Sequence, residues 1–234
     1  MSDLTAIFYT CNKISDFFAD NILNQLLEAL DDLPLIVVSH EPIDLGEHSE
    51  NIVVNYPRHH LSIYRQALLG AQKAKTEYIA LCEDDVLYTK EHFQHRPTSG
   101  KFAYNVGLWN LQTWGEPLYT QKLGGRINLN SLICERKLFI EAIEERFAKW
   151  PHDEKIFLGN WAEPGKYERN LGVIVREIEK FYTNPPNIAF THETALSFDN
   201  LGKRKKIGEI RADEIPYWGR AEDILKWYYE PREI

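Results

Sequence analysis

Apolar, β-branched runs alternate with amphipathic stretches over the first 85 residues, and this alternation restricts the fold more than any other feature of the chain. "LTAIFYT" reads as a short buried strand ending near Tyr9. A helix follows, with Ser15 at its N-cap and Phe18, Ile22, Leu26 and Leu30 at helical spacing, joined by Leu23 and Leu27. "LPLIVVSH" is a second strand, introduced by Pro34, and "NIVVN" a third. "LSIYRQALLGAQKA" places Leu61, Tyr64, Leu68 and Ala71 on one helical face and leads into the strand "YIAL". Strands alternating with helices predict an α/β fold with a mostly parallel, Rossmann-type sheet flanked by helices. Ligands of such sheets bind beyond the carboxyl ends of the strands. Thr10 to Asn12 occupy one such end, Ser39 and His40 another.

The third end is "YIALCEDDVLY", where a buried strand runs into Glu83, Asp84 and Asp85. Adjacent carboxylates repel, and burying them is costly unless something positive compensates. Clustered oxygens at a strand end suit a hard divalent cation, Mg²⁺ or Mn²⁺, which completes its shell with water and substrate phosphates. A solvated acidic turn is the plainer alternative.

Beyond Asp85 the alternation breaks down. "KFAYNVGLWNLQ" and "EPLYTQ" read as antiparallel strands, "RKLFIEAIEERFAKW" as an amphipathic helix, and "NIAFTH" as a further strand. After His192 the chain turns polar and basic ("GKRKKIG"), then ends in an aromatic helix, "RAEDILKWYYE". These features predict one domain over residues 1–200, with a basic segment and helix over 201–234 packed on it. No window approaches the ~18 apolar residues of a membrane span. The three cysteines Cys11, Cys82 and Cys134 form no CxxC pair and read as reduced thiols in a cytoplasmic protein. The net charge of −8 disfavours a nonspecific grip on nucleic acid, although "GKRKK" is a local basic patch.

"LSIYRQALLGAQKAKTEYIALCEDDVLYTKEHF" resembles the central segment of nucleotide-sugar glycosyltransferases of the GT-A fold, both family 2-like and N-acetylglucosaminyltransferase I-like enzymes. There a helix with an early Arg precedes a strand that ends in a DxD-type motif. The resemblance spans roughly residues 4 to 140 and is weaker beyond. It implies metal-dependent transfer of a sugar from a nucleoside-diphosphate sugar to a hydroxyl acceptor. Asp85 would bind the metal, and Glu83 or Asp84 would reach the ribose or the metal's waters. Tyr9, Thr10, Asn12 and Ser39 would line the nucleoside pocket, Arg65 would lie near the nucleotide, and Gly125 would shape the donor-sugar site. His192 would be a further metal ligand. An inverting enzyme needs a carboxylate base; Glu163, beside Trp161 and Pro164, and Asp153 are the candidates. The acceptor is left open between a glycan and a hydroxymethylated DNA base, as glycosylated by phage enzymes. A non-catalytic nucleotide-sugar or carbohydrate-binding protein is the alternative outside enzymes. Trp109, Trp114 and Trp161 are candidates for stacking on sugar or base.

Overall fold

A computed structural model of the chain describes residues 2–45, 49–151, 163–192 and 208–230. The first half runs β1 (Leu4–Tyr9), α1 (Asp16–Leu30), β2 (Leu35–Ser39), β3 (Ser49–Val53), α2 (His60–Lys73) and β4 (Tyr78–Glu83). The second half adds β5 (Val86–Leu87), β6 (Lys101–Asn105), β7 (Trp109–Gln112), β8 (Tyr119–Gln121), β9 (Leu132–Glu135), α3 (Arg136–Lys149), α4 (Glu168–Leu171), β10 (Glu177–Phe181) and β11 (Ile188–Thr191). The C-terminal part holds β12 (Ile210–Ala212), β13 (Glu214–Ile215), β14 (Gly219–Arg220) and α5 (Ala221–Tyr229).

Seven strands form the main sheet in the order β10-β6-β9-β4-β1-β2-β3. The expected α/β core is present: β4, β1, β2 and β3 are mutually parallel, with Leu4 opposite Tyr78 and Ala6 opposite Leu35. Antiparallel β9 between β4 and β6 makes the sheet mixed. These strands are apolar on both faces because both faces are covered. Leu4, Ala6, Phe8, Val37, Ala80 and Cys82 point into one core with α1, α5 and the second sheet. Ile7, Tyr9, Val38, Ile79 and Leu81 point into the other, beneath α2 and α3. Helix α2 lies so close to β1 that a Cβ on Gly70 would stand 2.4 Å from Ile7 Cγ2.

The second sheet has the order β12-β8-β7-β11-β5. "KFAYNVGLWNLQ" is therefore not one antiparallel unit but two strands in different sheets. The chain leaves the main sheet after β6, where the Gly107 amide donates to Asn105 Oδ1 at 3.0 Å, and enters the second at β7. Helix α5 packs on α1, and Ile215, Trp218, Ala221 and Ile224 join the same core as β1. Cys11, Cys82 and Cys134 are free thiols. Among the described residues no helix is long and apolar enough to cross a membrane.

Candidate active site

The triplet sits where the chain crosses from one sheet to the other: β4 ends at Glu83, and β5 of the second sheet begins at Val86. The Phe190 amide donates to Asp85 O at 2.7 Å, pinning this crossing to β11. Parallel register places Tyr9 opposite Glu83. The Tyr9 hydroxyl donates to Glu83 Oε1 at 2.8 Å, and Asn130 Nδ2 donates to Oε2 at 2.9 Å. The Glu83 amide donates to the Tyr88 hydroxyl oxygen at 3.1 Å, and that hydroxyl donates to Asn130 O at 2.9 Å. Thr10 Oγ1 donates to Asp84 Oδ2 and accepts from the Asn12 amide at 2.9 Å. Asp85 is held differently. Among the described residues its buried Oδ1 has no hydrogen-bond partner, and its Oδ2 lies 3.6 Å from His192 Nε2, beyond hydrogen-bond range.

Burial first, and then the charge of Asp85, push the Glu83 carboxyl up to about 8. The same two causes raise Asp84 to about 6, partly offset by the Thr10 hydrogen bond. Burial and the neighbouring Glu83 raise the Tyr9 phenol as well. The pocket thus resists holding all its negative charge alone, which is the electrostatic condition for capturing a cation. Among the described residues, however, no group of three His, Cys, Asp or Glu side chains is arranged to hold a metal by itself. Asp85 and His192 are two donors, and other positions of a shell would come from elsewhere.

Beside the triplet, the ends of β1 and β2 are laced together. Asn12 takes a left-handed conformation (φ 52°), tolerable for Asn, and its Oδ1 accepts from the His40 amide at 2.8 Å and the Glu41 amide at 3.1 Å. From α2, Gln66 Nε2 donates to Thr10 O at 2.8 Å and Val38 O at 3.0 Å. Arg58 Nε donates to Cys11 O at 2.9 Å while its NH2 pairs with Glu41 at 2.8 Å. Next to this lattice opens a cleft of about 780 Å³ lined by His40, Val53, Val54, Asn55, Tyr56 and Arg58. His40 Nε2 is buried and has no hydrogen-bond partner among the described residues, and burial together with the Arg58 charge lowers the imidazole pKa.

The remaining candidates are distributed. Ser39 is wholly buried; its hydroxyl donates to Glu41 O at 2.7 Å and accepts from Asn51 Nδ2 at 2.8 Å, so the side chain facing the cleft is His40, one residue on. Arg65 lies over the Phe147 ring at 5.3 Å and donates to Pro151 O at 3.5 Å, partners at the end of α3 and not among the carboxylates. Gly125 (φ 72°) crosses Val106, whose carbonyl a Cβ there would approach to 2.6 Å; its glycine is required by that crossing. Glu163 is mostly buried, 3.5 Å from Lys166 Nζ, and its charge bears on Tyr64 of α2 and Tyr104 of β6. Asp153, Glu154, Trp161 and the basic run Lys203–Lys206 lie outside the described residues. His40 is the strand-end residue that the sequence places beside Ser39, whereas Arg58, Tyr56 and Asn130 are not singled out from the sequence. Only Asn130 carried a signal, its place in the Gly/Asn-rich "GGRINLNS".

No protein-family model matches the chain, and no curated protein matches it in sequence. Solved structures do match. The glycosyltransferase GlyE of Streptococcus pneumoniae TIGR4 superposes with a TM-score of 0.56 at 9% identity, over 98% of this chain and 61% of that one. S. aureus TarS 1–349, in complex with UDP-GlcNAc, gives 0.50 at 13% identity, over 82% of this chain and 59% of that one. The chain thus spans about three fifths of the length of these structures. At such identities the likeness concerns architecture: the chain has the GT-A-type mixed α/β fold, similar to that of these glycosyltransferases.

Proposed function

We propose that the chain is a metal-dependent glycosyltransferase that moves a sugar from a nucleoside-diphosphate sugar to a hydroxyl acceptor. One observation carries this reading. On a GT-A-type fold, three carboxylates stand at the sheet crossing, two locked by hydrogen bonds and the third, Asp85, with one buried oxygen that has no partner among the described residues and the other 3.6 Å from His192 Nε2. Asp85 and His192 would hold Mn²⁺ or Mg²⁺. Such ions accept an incomplete protein shell because the donor's phosphates and water fill the remainder. When bound, the cation stabilises the negative charge that builds on the departing diphosphate.

The protein's own groups then divide the work. The cleft beside His40, Tyr56 and Arg58 receives the nucleoside, with Tyr9, Thr10 and Asn12 fixing the adjoining strand ends. Glu83, braced by Tyr9 and Asn130, would contact the ribose or the water of the cation's shell. A carboxylate takes the acceptor proton as the new glycosidic bond forms and the sugar–phosphate bond breaks, inverting the anomeric centre. Glu163 is the candidate inside the described residues and Asp153 the one outside them. The acceptor is a glycan hydroxyl or that of a modified DNA base.

A screen of nucleotide-sugar hydrolysis, with Mn²⁺ and with EDTA, tests the proposal. UDP-GlcNAc goes first because TarS was solved with it. One donor hydrolysed only with Mn²⁺ is the expected result. No binding or turnover of any donor in Mn²⁺ would overturn it.

A further inference from the structure

Helix α5 is the element to which the reaction above gives no task, yet its last turn touches the candidate cation site. Asn21 on α1 is a buried amide among apolar neighbours, 3% exposed, a placement that is costly unless its polar atoms are bonded. Its Nδ2 donates to Trp227 O and to Glu230 O, each at 2.8 Å. Both carbonyls belong to the terminal turn of α5, where the helix provides no partners of its own. The Tyr229 hydroxyl ties the same turn to Thr113 O. Between these ties stands Tyr228. Its ring lies 4.8 Å from Phe18, 6.5 Å from Phe190 and 5.8 Å from the His192 imidazole. Phe18 meets the same imidazole edge-on at 6.2 Å. The His192 ring is thus walled by α1 on one side and α5 on another, with Nε2 presented toward Asp85.

We propose that α5 is a structural part of the cation site, with Tyr228 and Asn21 as positioning residues. Asn21 holds the terminal turn of α5 against α1, and Tyr228 on that turn holds the His192 ring in line with Asp85. This rests on reading Asp85 and His192 as cation-binding. The physical need is general: an imidazole ligand binds well only when its surroundings fix the ring, and loosening that support costs about 10–100-fold in metal affinity.

The test uses the full chain and Mn²⁺ alone, without any sugar donor. Free Mn²⁺ is followed by electron paramagnetic resonance, and the His192 ring signals by NMR in EDTA. Tyr228→Leu is expected to move the His192 ring protons toward their free-histidine positions, by loss of the neighbouring ring current, and to weaken Mn²⁺ binding about tenfold. Tyr228→Phe, which keeps the ring, should restore both. Asn21→Asp, isosteric but without the amide donors, should shift both in the same direction and serves as the test if Tyr228→Leu does not fold. Variants that lose only thermal stability, with His192 signals and Mn²⁺ affinity at wild-type values, would overturn the proposal. Asp85→Asn separates the two readings. If it leaves Mn²⁺ binding intact, the cation assignment fails, while the His192 signals still decide whether α5 positions that ring.

Discussion

Asp85 differs from its two neighbours in having a buried oxygen left over, and that difference predicts opposite effects of one substitution on binding and on stability. Asp85→Asn removes the charge that helps raise both Glu83 and Asp84. Without metal, the variant should unfold at a higher temperature than wild type at pH 8. In Mn²⁺, calorimetry should find its donor affinity down about 100-fold or more, as the proposed role of Asp85 as the cation's charged ligand requires. Undiminished affinity would remove Asp85 from the site. The triplet was legible because carboxylates at the end of an apolar strand have no structural excuse. His40 was legible as the end of a strand, but Arg58 was not, because an isolated Arg in a loop has no pattern; only the folded lattice around Asn12 and Glu41 gives it a place.

Among the elements, α3 and α4 are joined by an ion pair with both side chains inside the protein, Arg146 to Glu168 at 2.8 Å with exposures of 0% and 1%. Glu168 Oε1 also accepts from the Gly165 amide, so the pair shapes the turn that carries Glu163, while its Oε2 has no hydrogen-bond partner. A buried pair of this kind adds little net stability, yet removing one member strands a buried charge. Glu168→Leu is expected to cost about 3–5 kcal/mol in urea unfolding, and Arg146→Met with Glu168→Leu to recover most of it. Equal losses in the single and double variants would show that packing, not charge, dominates there. Sequence periodicity located β1 to β4, α1, α2, α3 and α5 because each has a long apolar face. It did not yield β10, whose "EIEKF" alternates charge at the sheet edge, or the two-residue β5, too short to carry a period. The split between β6 and β7 was hidden for another reason: the sheets exchange at Val106 to Leu108, three residues as apolar as the strands they separate.

Across the whole molecule, a buried histidine and two buried carboxyls with opposing pH dependence give stability a maximum in pH. His92 is fully buried, its Nδ1 3.3 Å from Asn105 Nδ2; burial, and then the nearby His95, push its imidazole down to about 3. A base with a depressed pKa folds best uncharged, so its contribution is present above the ordinary value of about 6.5 and is lost as pH falls from there toward 3. Glu83 and Asp84 act in the other direction. Their protonated forms are favoured in the fold, so their contribution is whole below the ordinary carboxylate range near pH 4 and is lost as pH rises through about 6 for Asp84 and about 8 for Glu83. In EDTA these three groups together should therefore make the unfolding temperature highest at about pH 4 to 4.5, where the carboxylates begin to ionise, and lower on both sides, by ~2–4 °C for each kcal/mol in a chain of this size. Glu83→Gln should flatten the alkaline limb and leave the acid limb unchanged. Saturating Mn²⁺ should reverse the alkaline limb, because a cation binds the ionised carboxylates of the folded state and its stabilisation grows as they lose their protons. An alkaline limb that is flat in EDTA, or that ignores both Glu83→Gln and Mn²⁺, would mean that the triplet ionises freely and exerts no pull on a cation.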